Sequence, residues 1–227
     1  MSNFDFDGFS EGDWDERNEL AWNEFDWERY LRSQDETLRR YLEIYSRMKG
    51  RPDRLDRTAR MMGWDIEEWT GNEFLDDEED DLDLEDENED LEPYTLHKHP
   101  IYIATKALYL DIQARWLDLL STGRVAFPPT VAAAYQASLS VGENNAISAI
   151  YALDMGDFAM SVCQFKRALA DLNRSFQLLD RIDRVQSDLV DQYRQEATVR
   201  LFDLREIWLR VMQYSREEVK RRSNGDD

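Results

Sequence analysis

The chain has 227 residues, and its 28 Lys and Arg against 49 Asp and Glu give a formal net charge of −21. This charge repels the phosphates of DNA, RNA and anionic lipid, so it argues against nucleic-acid and membrane partners and favours basic proteins. A single cysteine, the absence of a signal-peptide pattern and the absence of an apolar run of about 18 residues together favour a cytoplasmic location.

The acidic charge lies in the first two fifths of the chain. Residues 1–92 hold 32 Asp and Glu against 11 Lys and Arg, whereas residues 93–227 hold 17 of each sign. Because the composition changes near Pro93, we place the main domain boundary there.

The first segment, residues 1–23, interleaves aromatic side chains with acids. Two glycines and dense like charge oppose a compact fold in so short a piece, so we expect it to be disordered in isolation. The pattern is typical of an acidic, aromatic linear motif that docks on a partner or on this protein's own helices. Its aromatic residues are Phe4, Phe6, Phe9, Trp14 and Trp22.

A weak metal pattern lies in the same segment. Asn3, Asp5 and Asp7, followed by Gly8, match the opening of a calcium loop, in which oxygen ligands alternate. The twelfth position of such a loop requires a bidentate Glu, and here it is Trp14. We therefore predict no metal site, and these three residues remain weak candidates.

Residues 24–71 form the next predicted unit, a long helix followed by a pair of short helices. Apolar residues at helical spacing begin near Glu24, and Gly50 and Pro52 end the pattern. Asp53 is expected to cap the first short helix.

The short helices raise the question of DNA binding. Gly63 is expected to make a turn, and Asp65 is expected to cap a second short helix that runs through Trp69. This outline is typical of a helix-turn-helix, but the second helix carries acids where phosphate and base contacts would be needed. Packing of Trp64 and Trp69 on the preceding long helix is the favoured explanation.

Residues 72–98 are predicted to be a disordered acidic linker. Between residues 72 and 92 there are 14 acids and no Lys or Arg, and self-repulsion at this density keeps a chain extended. A second interpretation is a polyanionic arm that holds a basic partner or covers a basic surface, as a nucleic-acid mimic would.

The second half of the chain begins with a His-Lys-His-Pro sequence. His97 and His99 are two residues apart, and no spacing supplies the two further ligands that a zinc site needs. Pro100 fits the first turn of a helix, with His99 at the cap position, and this helix is expected to end at Gly123. The following helix restarts at Pro128 and is rich in alanine; we expect an interruption or kink at 142–145.

A seam of apolar residues at spacings of four and three dominates the next helix. It comprises Phe158, Val162, Phe165, Leu169, Leu172, Phe176 and Leu179. Such a seam must be covered by other helices, so it predicts an antiparallel four-helix bundle over residues 99–222, with a tail at 223–227. Cys163, next to the seam, is expected to be a small buried side chain.

Residues 157–221 contain no Gly or Pro and could form one very long helix. Asp183 and Gln186 fall at positions that the seam should keep apolar, and helices beyond about 25 residues are uncommon in globular domains. We therefore favour a fold-back between residues 180 and 187.

No motif points to catalysis, and we predict no catalytic residue and no cofactor. A ferritin-like di-iron site needs Glu-x-x-His pairs, and neither histidine has a Glu three residues before it. Acids in the bundle are expected on solvated faces or at helix ends; these are Asp111, Glu143, Asp154 and Asp171.

The favoured function is a protein-binding scaffold or adaptor whose acidic, tryptophan-rich N-terminal half binds a basic or apolar partner surface. Tryptophan is enriched where binding energy concentrates. The predicted partner-binding residues are Trp14, Trp22, Trp27, Trp64 and Trp69. Two alternatives are a helical bundle with a small-ligand or catalytic core site, and an acidic decoy for a nucleic-acid-binding protein; self-association is left open.

Overall fold

A computed structural model describes residues 22–64, 96–182 and 187–225. Over these ranges the chain forms six α-helices and one short 3-10 turn at Leu96–Lys98, with no strand. The all-α prediction is confirmed. The helices are α1 Glu24–Arg47, α2 Arg54–Met62, α3 Pro100–Ser121, α4 Pro129–Asp154, α5 Phe158–Ile182 and α6 Asp188–Gly225.

Helices α3 to α6 form the predicted antiparallel four-helix bundle. Contacts between neighbouring helices run in opposite residue order: Phe158 meets Tyr214, whereas Phe176, further along α5, meets Phe202, earlier in α6. The side-chain contacts close a ring: Gln113–Gln136 for α3–α4, Ser138–Ser175 for α4–α5, Phe165–Trp208 for α5–α6 and Thr105–Trp208 for α6–α3.

The fold-back between α5 and α6 is confirmed, because the two helices are separate and pack against each other. The predicted turn residues Asp183 and Gln186 lie outside the described residues. Helix α6 continues to Gly225, so the helix extends past residue 222, where the tail was expected to begin.

The apolar seam of α5 is covered by its neighbours, as predicted. Phe165 and Leu172 are fully buried, and Leu169 and Phe176 are partly buried at its edge. The prediction for Cys163 is wrong: its side chain is exposed. One residue along a helix is a rotation of about 100°, which carries Cys163 from the buried side of Val162 to the solvent side.

Helix α4 runs without a break through residues 142–145, so the expected interruption is wrong. Gly142 is required by close packing between helices. A Cβ at Gly142 would lie 2.7 Å from the hydroxyl oxygen of Tyr109 on α3 and 3.4 Å from Cβ of Asp171 on α5. Gly142 therefore lets α4 lie close to both neighbours.

Replacing Gly142 with Ala should lower the free energy of unfolding by roughly 1–3 kcal/mol, the usual cost of overpacking a core. Without this contact, Gly to Ala within a helix would be stabilising by about 0.5–1 kcal/mol. The Tyr109 ring is fully buried and cannot move aside. Urea unfolding measures the effect, and Tyr109→Phe in the same chain should restore much of the loss; a Gly142→Ala protein more stable than the parent would contradict the contact.

The first two helices pack on the bundle rather than standing apart from it. Tyr41 and Tyr45 of α1 and Leu55 and Ala59 of α2 belong to the same buried cluster as the bundle core. Residues 24–64, which were predicted as a helical unit separate from the bundle, therefore share its core. The acidic stretches that carry most of the charge lie outside the described residues, as does the predicted linker up to residue 95. The end of the predicted linker is wrong, because residues 96–98 form the 3-10 turn and Leu96 is buried in the core.

Candidate partner-binding surface

The structure describes three of the five tryptophans predicted to bind a partner. Trp22 and Trp27 lie together at the start of α1, and Trp64 lies just after α2. Trp14 and Trp69 lie outside the described residues, as do the weak metal candidates Asn3, Asp5 and Asp7.

A capping box fixes the start of α1. Asn23 Oδ1 accepts hydrogen bonds from the backbone N–H groups of Phe25 (2.8 Å) and Asp26 (3.2 Å), and Asp26 Oδ2 accepts one from the Asn23 N–H (3.1 Å). Trp22 precedes the cap and Trp27 occupies the fourth helical position, so their contact at 5.0 Å between ring centroids is a hydrophobic staple. The staple sets the direction in which the chain enters α1.

The staple extends into a larger aromatic cluster formed by Trp22, Trp27, Tyr30, His97 and Tyr102. Between ring centroids, Tyr30 lies 5.5 Å from Trp22 and 6.0 Å from His97, and His97 lies 5.0 Å from Tyr102. These distances are typical of packed aromatic rings. The cluster joins the start of α1 to the start of α3 at one end of the bundle.

The start of α3 holds the histidine side of this cluster in place. As predicted, His99 caps α3: its Nδ1 accepts a hydrogen bond from the Ile101 N–H at 3.2 Å, and Pro100 occupies the first helical position. The 3-10 turn before the cap carries His97. Burial, with a smaller contribution from the positive charge of Lys106, lowers the pKa of His97 below its ordinary value.

Part of the cluster remains open to solvent. Trp27 is 42% exposed, and its neighbours Phe25 and Leu31 are 73% and 50% exposed. Tyr102 is half-buried, and burial together with the nearby Tyr151 raises its pKa to about 12. An apolar surface therefore continues from α1 across the start of α3 to the end of α4.

Trp64 has a different environment. Gly63 adopts a left-handed conformation (φ 90°) that ends α2, and the Trp64 N–H bonds to the Ala59 carbonyl at 3.0 Å. The indole ring then stacks on Tyr41 of α1 at 5.7 Å. This confirms for Trp64 the predicted packing on the long helix. Asp53 occupies the predicted N-cap position of α2, but its side chain makes no capping hydrogen bond and instead pairs with Arg57 at 2.5 Å.

A buried polar contact fastens α1 and α2 to α6. Asp203 is 5% exposed, and it accepts hydrogen bonds from the Tyr45 hydroxyl at 2.5 Å and from both Nε and Nη2 of Arg54. The hydrogen bond to Asp203 raises the pKa of Arg54, and burial, followed by the charge of Asp203, raises the pKa of Tyr45. This contact joins residues more than 140 positions apart in the sequence.

Asp111 belongs to a second ionic group at the same interface. It pairs with Arg115 at 2.8 Å and with buried Arg200. Glu196 pairs with Arg115 at 2.6 Å and with Lys49, in the turn after α1, at 3.2 Å. Each carboxylate has a cation within reach. The group therefore holds helices together, and Asp111 is not a solvated surface acid as expected.

The expectation of a solvated Glu143 is also wrong, because this side chain is only 8% exposed. Its Oε1 accepts a hydrogen bond from Lys106 Nζ and its Oε2 accepts one from Gln113 Nε2, both at 2.6 Å. Gln113 in turn accepts a hydrogen bond from Gln136 at 3.0 Å. Since Gly142 brings α3 and α4 close together, the neighbouring Glu143 is enclosed between them.

The described residues offer no other chemical centre of the kinds considered above. Among them, no group of three His, Cys, Asp or Glu side chains is arranged to hold a metal ion. None of the described helices has the length and apolar character needed to cross a membrane. Comparisons with protein-family models, curated proteins and solved structures give no match.

Sequence reasoning identified two members of the aromatic cluster and missed the other three. Tyr30 lies three residues after Trp27, so the helical spacing already placed it on the same face. The capping box around Asn23 was a second usable signal for the paired tryptophans. Nothing local indicated that His97 and Tyr102, some 70 residues later, would complete the cluster.

Proposed function

We propose that this protein is a protein-binding module whose partner contacts the aromatic cluster and its open neighbours, Phe25 and Leu31. The observation that carries the proposal is the partial exposure of Trp27 within a rigidly capped aromatic cluster. Exposed aromatic side chains that are already ordered lose little conformational entropy on binding, and tryptophan is enriched among residues that dominate binding energy.

The charge of the chain indicates the chemistry of the partner. Residues 1–21, which lead directly into the cluster, contain seven acids and one Arg. A partner that fits both features has an apolar groove for the aromatic side chains and basic residues around it. Such an acidic flank would steer a basic partner to the cluster over a distance set by salt screening.

The experiment is an affinity pull-down from native cells with the full chain, followed by substitution. Phe25→Ser and Trp27→Ala should each release the same partner, and a hot-spot tryptophan is expected to weaken affinity by about 30-fold or more, equivalent to about 2 kcal/mol. Leu117→Ala is the matched control, because Leu117 is 56% exposed on α3 away from the cluster. Unchanged recovery with the first two variants would refute the proposal.

Salt dependence separates this proposal from the acidic-decoy alternative. A partner held through aromatic side chains should remain bound at salt concentrations that screen exposed charges, where the Debye length falls to about 3 Å at 1 M. A complex whose affinity falls steeply with salt, and whose affinity is unchanged by Phe25→Ser, would instead support the decoy.

A further inference from the structure

The charge of the chain is distributed unevenly along the sequence. The described residues hold 26 Lys and Arg against 22 Asp and Glu, a net charge of +4. Residues 1–21 carry a net charge of −6, and residues 65–95 carry −17. The described helices of this acidic protein therefore carry a weak net positive charge.

One face of α5 concentrates that positive charge. Arg167, Arg174 and Arg181 are each exposed and follow one another at intervals of seven residues, so they lie on one side of the helix about 10 Å apart. Lys166 lies beside them. None of these four cations has an ion pair within the described residues. We call them the cationic stripe.

Cations outnumber acids on the surface around the stripe. Between residues 166 and 181 the exposed α5 positions outside the stripe are Ala170, Asn173, Gln177 and Asp180. The half-buried Asp171 accepts a hydrogen bond from Asn145 of α4 at 2.8 Å. Helix α4, which packs along α5, contains only two charged residues in its 26 positions, and one of these is the enclosed Glu143. The four cations share this part of α5 with two acids, Asp171 and Asp180, so the stripe keeps a net positive charge.

An exposed apolar path links the aromatic cluster to the stripe. Tyr151, near the end of α4, is 46% exposed and lies close enough to Tyr102 of the cluster to raise the pKa of that phenol. Met155, at 78% exposed, follows in the α4–α5 turn, and the exposed Met160 lies on α5 about two helical turns before Arg167. Trp22, where the described chain begins, lies in the cluster at this same end of the bundle.

We propose that the cationic stripe and this apolar path are the docking surface for the acidic, aromatic N-terminal segment, residues 1–21, of the same chain. The segment has the matching chemistry, with three phenylalanines and Trp14 placed among seven acids. It also has the reach: 21 extended residues span up to about 70 Å, whereas the 25 residues of α5 measure about 37 Å. Covalent attachment at Trp22 supplies an effective concentration in the millimolar range.

This contact goes beyond the proposed partner binding and does not depend on it. Acids pair with the arginines while Phe and Trp side chains cover the methionines and Tyr151. Exposed ion pairs each contribute little, so the contact relies on several of them together and should be sensitive to salt.

The position of Cys163 allows a direct test on the full chain. It is the only cysteine, it is exposed, and it lies one helical turn before Arg167. A nitroxide spin label on Cys163 of the ¹⁵N-labelled protein should weaken the amide NMR signals of residues 1–21 at low salt. Chemical reduction of the nitroxide, or salt near 1 M, should restore them. Full-intensity signals from residues 1–21 at low salt would overturn the proposal.

Two double variants decide whether the stripe is responsible. Arg167→Glu/Arg174→Glu should abolish the weakening. Arg205→Glu/Arg216→Glu on α6 reverses two exposed arginines that also have no ion pair within the described chain, and it changes the net charge equally. This control should keep the weakening. Equal loss in both variants would show a general charge effect and overturn the proposal.

Other occupants give distinguishable results. One control mixes two samples: protein that carries the spin label but no ¹⁵N, and ¹⁵N-labelled protein that carries no spin label. If the signals of residues 1–21 weaken in this mixture, the segment of a second copy occupies the stripe and the intramolecular contact is wrong. If residues 1–21 show no weakening and a single-stranded DNA oligonucleotide binds in an Arg167- and Arg174-dependent manner, the stripe serves a nucleic acid and the proposal fails.

Discussion

Replacing Asp203 with Asn should lower the free energy of unfolding by about 3–5 kcal/mol, the usual cost of removing one partner from a buried ion pair. Arg54 would remain partly buried beside a neutral amide, and Tyr45 would lose a charged acceptor at 2.5 Å. Urea unfolding followed by tryptophan fluorescence measures the loss. Because Trp64 stacks on Tyr41 of α1, the same signal includes the contact between α1 and the end of α2.

Asp56→Asn is the matched control for this prediction. Asp56 of α2 also pairs with an arginine of α6, Arg210, at 2.5 Å, but the two side chains are 43% and 32% exposed. Exposed pairs of this kind contribute about 0–1 kcal/mol. If Asp203→Asn costs no more than Asp56→Asn, the buried contact does not anchor the first two helices as we conclude.

Lowering the pH from 7 to 5 should destabilise the protein by about 2 kcal/mol through His99 alone. Burial lowers the pKa of His99 to about 4 in the folded chain, against 6.5 for an ordinary histidine. Between these values the unfolded chain binds a proton that the folded chain does not, so stability falls as the pH falls. The contribution is intact above pH 6.5, and by pH 4 the loss approaches about 3 kcal/mol.

The cap gives this pH dependence a structural meaning. Nδ1 of His99 accepts the hydrogen bond from Ile101 N–H, and a protonated imidazole has no free nitrogen to accept it. His99→Asn keeps a capping side chain that does not titrate. The difference in free energy of unfolding between parent and variant should therefore change by about 2 kcal/mol between pH 7 and pH 5. The carboxylates and His97 titrate in both proteins, so their contributions cancel in this difference. A constant difference would contradict the lowered pKa.

The structural role of His99 could be predicted from the sequence, whereas that of Asp203 could not. The cap at His99 was readable, because a residue before Pro at a helix start is a local signal. Asp203 carried no such signal, since its partners Tyr45 and Arg54 lie far away in the chain. The same contrast holds in the aromatic cluster, where Trp22 and Trp27 were predicted and His97 was not.

The amino-acid sequence by itself determined the helices, the covered seam of α5, the fold-back before α6 and the separation of acidic from neutral segments, because helical periodicity, capping and composition act over a few residues. Only the tertiary structure decided that α1 and α2 share the bundle core, that Glu143 is enclosed, that Cys163 faces solvent and that the stripe on α5 is exposed without an ion pair within the described residues. Those features depend on which helix faces meet, and that choice is made by the packing of all the helices together rather than by any local stretch.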